Sequence, residues 1–160
     1  MWGCSFWFPV LVFLALSGWS EEVWPGAGVG LQVSLSTDQA AYRPGDQVRF
    51  SLTLTNSGET DIILSFRSSQ QADFVILREE KEIWRWSDGR MFAQVLTQIK
   101  LRPGERREIQ ATWDQKGPEG KEPPFGSYEA VGELLPGGGD HRAVASFKIV
   151  APPGSDRSTR

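Results

Sequence analysis

The sequence predicts an all-β fold, an antiparallel sandwich of about eight or nine short strands. Three observations predict it. Apolar residues recur at every second position: Val48, Phe50, Leu52 and Leu54 alternate with Arg49, Ser51, Thr53 and Thr55, as in a strand buried on one face. Turn signals punctuate the chain at short intervals, with Arg43-Pro44-Gly45-Asp46, Asn56-Ser57-Gly58 and Arg102-Pro103-Gly104-Glu105 supplying the fixed and the permissive φ that turns need. No window sustains a helical period. Among sandwiches an immunoglobulin-like arrangement fits best, with a jelly roll or small barrel second. The single cysteine, Cys4, lies near the N-terminus, so no disulfide joins the sheets and Trp and Phe must fill the core.

The elements follow in order. Leu31, Val33 and Leu35 share one parity, then come the first Pro-Gly turn and the strand from Val48 to Leu54. Ile62, Leu64 and Phe66 continue the alternation, and Phe74 to Leu77 is an unbroken apolar run. Glu79-Glu80-Lys81-Glu82 reads as a charged hairpin tip, followed by the Trp84 segment, by Val95, Ile99 and Leu101, and by the second Pro-Gly turn. Ile109, Ala111 and Trp113 alternate next. Gln115 to Gly126 is rich in Gly and Pro and reads as a long exposed loop. Tyr128, Ala130 and Leu134, a turn at Pro136–Gly139, and Ala143, Ala145, Phe147 and Ile149 complete the pattern.

The ends differ from this body. Residues 1–20 contain no charged side chain, and Phe6 to Leu16 is apolar apart from Pro9. That run is short for a membrane span, which takes about 20 apolar residues. Gly18-Trp19-Ser20 suits a leader-peptidase site. The expected division is therefore a signal peptide over 1–20, a Gly-rich linker over 21–30, one sandwich domain over 31–150 and a polar tail over 151–160. An exported protein, secreted or held at the cell envelope, is expected, with membrane attachment only where the leader stays uncleaved. A monomer is expected.

A formal net charge of −3, from 17 basic and 20 acidic residues without long runs, speaks against a nucleic-acid partner. Catalysis has little to work with. The only histidine, His141, sits in a turn between Asp140 and Arg142 and reads as a solvated residue; with no second His and no further Cys, no metal site is expected. The acidic pairs, Glu79-Glu80 among them, point to opposite faces of a strand and read as solvated charges. No phosphate-cradling Gly loop is present. The chain reads as a non-enzyme without a cofactor.

The remaining candidate is aromatic. Of seven tryptophans only Trp84, Trp86 and Trp113 lie beyond residue 30, and Trp84 and Trp86, two apart in a strand, face the same way. They either anchor the core or present a ledge to a partner. In the second reading Trp84, Arg85, Trp86, Ser87, Asp88, Arg90, Met91 and Phe92 form a binding stretch, with Arg85, Arg90 and Met91 on an exposed rim. Arg85, flanked by Trp rings, is placed for stacking.

Several features taken in order resemble one known family. Tyr42-x-x-Gly45, Val48-x-Phe50-x-Leu52-x-Leu54 and Asn56-x-Gly58 open the pattern, followed by Asp73-Phe74-x-Ile76 and by Trp84-Arg85-Trp86-Ser87 with Phe92 and Gln94. Leu101-x-Pro103-Gly104-Glu105, Trp113-Asp114 and Gly126-x-Tyr128 complete it. Together, over about Leu31 to Leu135, they resemble the intracellular proteinase inhibitor (BsuPI) domain. The Trp-x-Trp-Ser run with Phe92 and Gln94 is the most specific part.

The resemblance implies an immunoglobulin-like sandwich and inhibition of a subtilisin-type serine proteinase. On that reading the partner is a protein, and two loops compete to meet it: Ser87 to Met91, short and braced by the Trp pair, and Gln115 to Gly126, expected to be mobile. The first is preferred. The alternatives are an envelope-associated interaction or assembly module without inhibitory activity, and a sugar-binding module that stacks Trp84 or Trp86 on its ligand.

Overall fold

A computed structural model describes residues 30–117, 120–136 and 141–152. The predicted leader, all but the last residue of the linker, the turn residues 137–140 and the tail from 153 onward lie outside the described residues. Ten strands run through the described chain: β1 Leu31–Thr37, β2 Ala41–Tyr42, β3 Val48–Asn56, β4 Ile62–Phe66, β5 Ala72–Arg78, β6 Lys81–Arg85, β7 Thr97–Leu101, β8 Arg106–Trp113, β9 Gly126–Leu134 and β10 His141–Ile149. The prediction of eight or nine fell short because the two-residue β2 is too brief to leave an alternating pattern.

The architecture is an immunoglobulin-like β-sandwich. One sheet has the order β1-β3-β8, a second the order β2-β10-β9-β5-β6, and β4 pairs with β7 as a two-stranded unit. Every pairing is antiparallel except the short parallel contact of β2 with β10. In β3 the alternating side chains Val48, Phe50, Leu52 and Leu54 are buried as predicted.

Aromatic rings join the two main sheets in place of a disulfide. Phe50 of β3 meets Phe74 of β5, Phe147 of β10 and Trp84 of β6 at centroid distances of 6.1, 6.2 and 6.4 Å. Trp113 of β8, fully buried, meets Trp84, Tyr128 and Phe147. Truncating a fully buried aromatic of this kind costs about 3–5 kcal/mol, so these rings are the main inter-sheet support. The close approach of β9 to β1 and β3 depends on Gly132, where a Cβ would come within 2.8 Å of Leu52 Cδ1.

Asn56, fully buried, fastens the β4–β7 pair to the end of β3. Its Nδ2 donates to Thr60 O and Leu101 O at 2.8 and 3.0 Å, and its Oδ1 accepts from Gly58 N at 2.9 Å. All three side-chain bonds are to backbone, so a buried amide costs nothing in unmet hydrogen bonding here.

Two departures from the sequence reading concern loops and ends. His141 is buried rather than solvated; it opens β10 opposite Leu134 and shares the inward parity of Ala143. The Gln115–Gly126 loop is not free at its start. Gln115 is buried at φ 58°, its side chain donates to Arg43 O and accepts from Gly45 N, and Trp113 Nε1 donates to Lys116 O. At the other end the Tyr128 hydroxyl donates to Pro124 O.

Candidate functional site

The Trp84 stretch leaves the edge of the five-stranded sheet through β6. In the β5–β6 hairpin, Arg78 pairs with Lys81 across Glu79 and Glu80, whose φ values are 51° and 62°. Such a two-residue loop matches the right-handed twist of its strands. Regular pairing from that turn would put Trp84 across from Val75, whose neighbours on that face point away from the sandwich interior. The register shifts between Ile76 and Leu77 instead, so Ile76 faces Trp84 and Val75 faces Arg85. Ile83 is the extra residue of this bulge. It turns Trp84 toward the core-facing side of Ile76, and Arg85 toward the opposite face.

Trp84 and Trp86 accordingly point the same way, into the sandwich, where both are half-buried. Trp84 lies over Phe50 and Trp113. Trp86 lies edge-on to Phe74 at 6.3 Å, and its backbone N–H donates to Phe74 O, extending the β5 pairing one step past the strand. Each half-buried indole carries ring contacts on the sandwich side, Trp84 with Phe50 and Trp113 and Trp86 with Phe74.

Arg85 is not stacked between the tryptophans. Alternation carries it to the other face, where it donates to both Glu82 oxygens, at 3.1 and 2.7 Å, and to Asp73 Oδ2 at 3.1 Å. The hydrogen bonds to Glu82 push its guanidinium further up from an already high pKa against the opposing effect of burial, with Asp73 adding to them. It is a cation at any ordinary pH.

Asp73, the second residue of β5, is the anchor of this face. It is buried. Its Oδ1 accepts from Phe74 N and Ser87 N at 2.9 and 3.1 Å, and its Oδ2 accepts from the Ser87 hydroxyl at 2.7 Å as well as from Arg85. One carboxylate therefore fixes both the backbone and the side chain of the residue at which the loop departs. Sequence reasoning placed Asp73 in the family pattern but missed this role; the cue was an acid in a run otherwise apolar.

Beyond Ser87 the chain makes a turn, with Arg90 N donating to Ser87 O at 3.0 Å and Gly89 at φ 72°. Asp88 and Arg90 are exposed. Arg90 folds back on Trp86: its Cζ lies 4.5 Å from the ring centroid and its Nε donates to Trp86 O at 2.8 Å. Phe92 returns to the same indole, at 5.7 Å between centroids. Ala93 is then clamped by Ser69, whose hydroxyl accepts from Ala93 N and whose N–H donates to Ala93 O, both at 2.9 Å. Between these supports Met91 is 98% exposed. Further on, Val95 is exposed rather than part of β7, and Leu96 is exposed with it.

The predicted stretch thus divides. Trp84 and Trp86 are supports, Arg85 and Ser87 lock the loop to Asp73, Arg90 and Phe92 grip Trp86, and Met91 projects. Among the described residues no three His, Cys, Asp or Glu side chains are grouped to hold a metal, and no helix is long and apolar enough to cross a membrane.

A family profile described as intracellular proteinase inhibitor (BsuPI) matches residues 35–137. No curated protein matches the chain. Solved structures share only a distant likeness: a β-glucosidase from Erythrobacter marinus at 14% identity and TM-score 0.45, over 75% of this chain and 15% of that one; the sporulation control protein Spo0M from Bacillus subtilis at 17% and 0.43, over 76% and 49%; and a CARDB domain from Pyrococcus furiosus at 11% and 0.42, over 76% and 94%. The chain thus spans a small part of the first of these proteins.

The family's description corrects the expectation of export. It names an intracellular inhibitor and so points to the cytoplasm; the uncharged first twenty residues, with their short apolar run and the Gly18-Trp19-Ser20 site, had suggested otherwise. With the profile covering nearly two-thirds of the sequence, and with the Asp73, Trp84–Ser87 and Phe92 positions of its pattern meeting around one loop, the chain belongs to the intracellular proteinase inhibitor (BsuPI) family.

Proposed function

We propose that this protein is a non-enzymatic inhibitor of a subtilisin-type serine proteinase and that it binds through the loop from Ser87 to Met91. Family membership supports a proteinase as the partner in general. The observation that carries the choice of loop is its bracing: Ser87 is held by Asp73, Arg90 by Trp86, and Met91 between them is 98% exposed. A segment that must enter a proteinase cleft loses less conformational entropy when it is already held in place. Connections that carry function are commonly exposed segments on a rigid scaffold, and this one leaves a sheet edge stiffened by aromatic packing. In the Gln115–Gly126 loop the exposed apolar side chain is Phe125, 51% exposed against 98% for Met91.

Titration of a subtilisin-type proteinase with the purified chain tests the reading. Stoichiometric loss of proteolytic activity is expected; full activity at micromolar excess would remove inhibition and leave a protein-interaction module without it.

A further inference from the structure

Resting on that reading, the geometry points to Met91 as the side chain that enters the proteinase's primary specificity pocket, with Trp86 as the clamp that presents it. We propose this because the loop is gripped on both sides of Met91 by one indole. On the N-terminal side Arg90 lies over the Trp86 ring and donates to its carbonyl. On the C-terminal side Phe92 packs on the same ring at 5.7 Å. The next residue, Ala93, has both of its backbone polar groups bonded to Ser69.

Met91 itself has almost no contact with the rest of the fold, being 98% exposed. An apolar side chain so exposed, between two immobilised neighbours, contributes nothing to the core. It is free to enter an apolar pocket of a partner. Methionine is unbranched and polarisable, and fills an apolar pocket without demanding one shape. It offers no charge to an acidic pocket floor. The partner class that fits is a proteinase whose primary pocket is roomy and apolar; one selecting Lys or Arg does not fit.

Trp86 is a positioning residue here. It is rooted in turn by the Phe74 ring and by its backbone bond to Phe74 O, so the presentation of Met91 is continuous with β5.

The test is a Met91→Lys exchange measured against two proteinases, one subtilisin-type with an apolar pocket and one trypsin-type with an acidic pocket. At so exposed a site the variant keeps its fold, which circular dichroism verifies. Wild-type protein is expected to inhibit the first and not the second. M91K is expected to lose at least tenfold in affinity for the first and to gain inhibition of the second, since an unpaired ammonium in an apolar pocket is strongly disfavoured. M91K inhibiting the apolar-pocket enzyme as well as wild type overturns the assignment of Met91 and leaves the inhibitor reading standing. Wild type inhibiting neither enzyme overturns both.

Discussion

The Asp73 carboxylate accepts a 2.7 Å hydrogen bond from the Ser87 hydroxyl, and this contact ties the start of β5 to the first residue of the exposed loop. The same carboxylate holds Ser87 N and Arg85. Buried acids are retained where several donors converge on them, because removing the acid leaves those donors without partners.

Asp73→Ala is therefore expected to destabilise the fold by about 2–4 kcal/mol, and Ser87→Ala by about 1 kcal/mol, since the first takes the acceptor from Phe74 N, Ser87 N, the Ser87 hydroxyl and one arm of Arg85, which keeps Glu82, while the second removes one bond. Urea unfolding measures both. Equal costs for the two would show that Asp73 serves no wider network. Ser87→Ala, which keeps the fold, is also expected to weaken inhibition by freeing the loop.

The β5–β6 turn places Glu79 and Glu80 at positive φ without a glycine. Both side chains are exposed, and since Glu79 pairs with Arg78 at 3.8 Å, Glu80 is the one to replace. Glu80→Gly is expected to stabilise the protein by about 0.5–1 kcal/mol, relief of backbone strain exceeding the entropy cost of glycine. A lower melting temperature in the variant would contradict this.

Tyr42 links stability to alkaline pH. Burial first, and then the 2.6 Å hydrogen bond it donates to Asp38, push its phenol up from 10.0 to about 12. In the folded state it keeps a proton that the unfolded chain releases, so its contribution is complete below pH about 10 and fades as pH rises toward about 12. Urea midpoints of wild type and Tyr42→Phe followed from pH 8 to 12 should converge across that window. A constant separation would show that the phenol's titration is not linked to folding.

Much of this was legible in the chain. Alternation gave β3 its buried face residue by residue, and the Pro-Gly and Asn-Ser-Gly signals located the turns, because both depend on local stereochemistry. Composition misled where it stood alone. His141 looked solvated among polar neighbours, yet strand parity buries it. Arg85 looked ready to stack between two indoles, yet alternation sends it to the opposite face and Arg90 occupies the Trp86 ring instead. The uncharged N-terminal residues suggested export, whereas the matching family is described as intracellular.

The two-residue spacing of Trp84 and Trp86 determined by itself that they share a face, since successive side chains of a strand alternate. It left open which face. That was decided by one bulge residue, Ile83, which shifts the β5–β6 register so that Trp84 lies opposite Ile76 rather than Val75. A one-residue slip exchanges the two faces of a strand completely, and no local propensity announces it; the slip is selected by the rings of Phe50, Phe74 and Trp113 that receive the tryptophans. Only the tertiary structure, by packing the indoles inward, left Met91 as the residue that stands out.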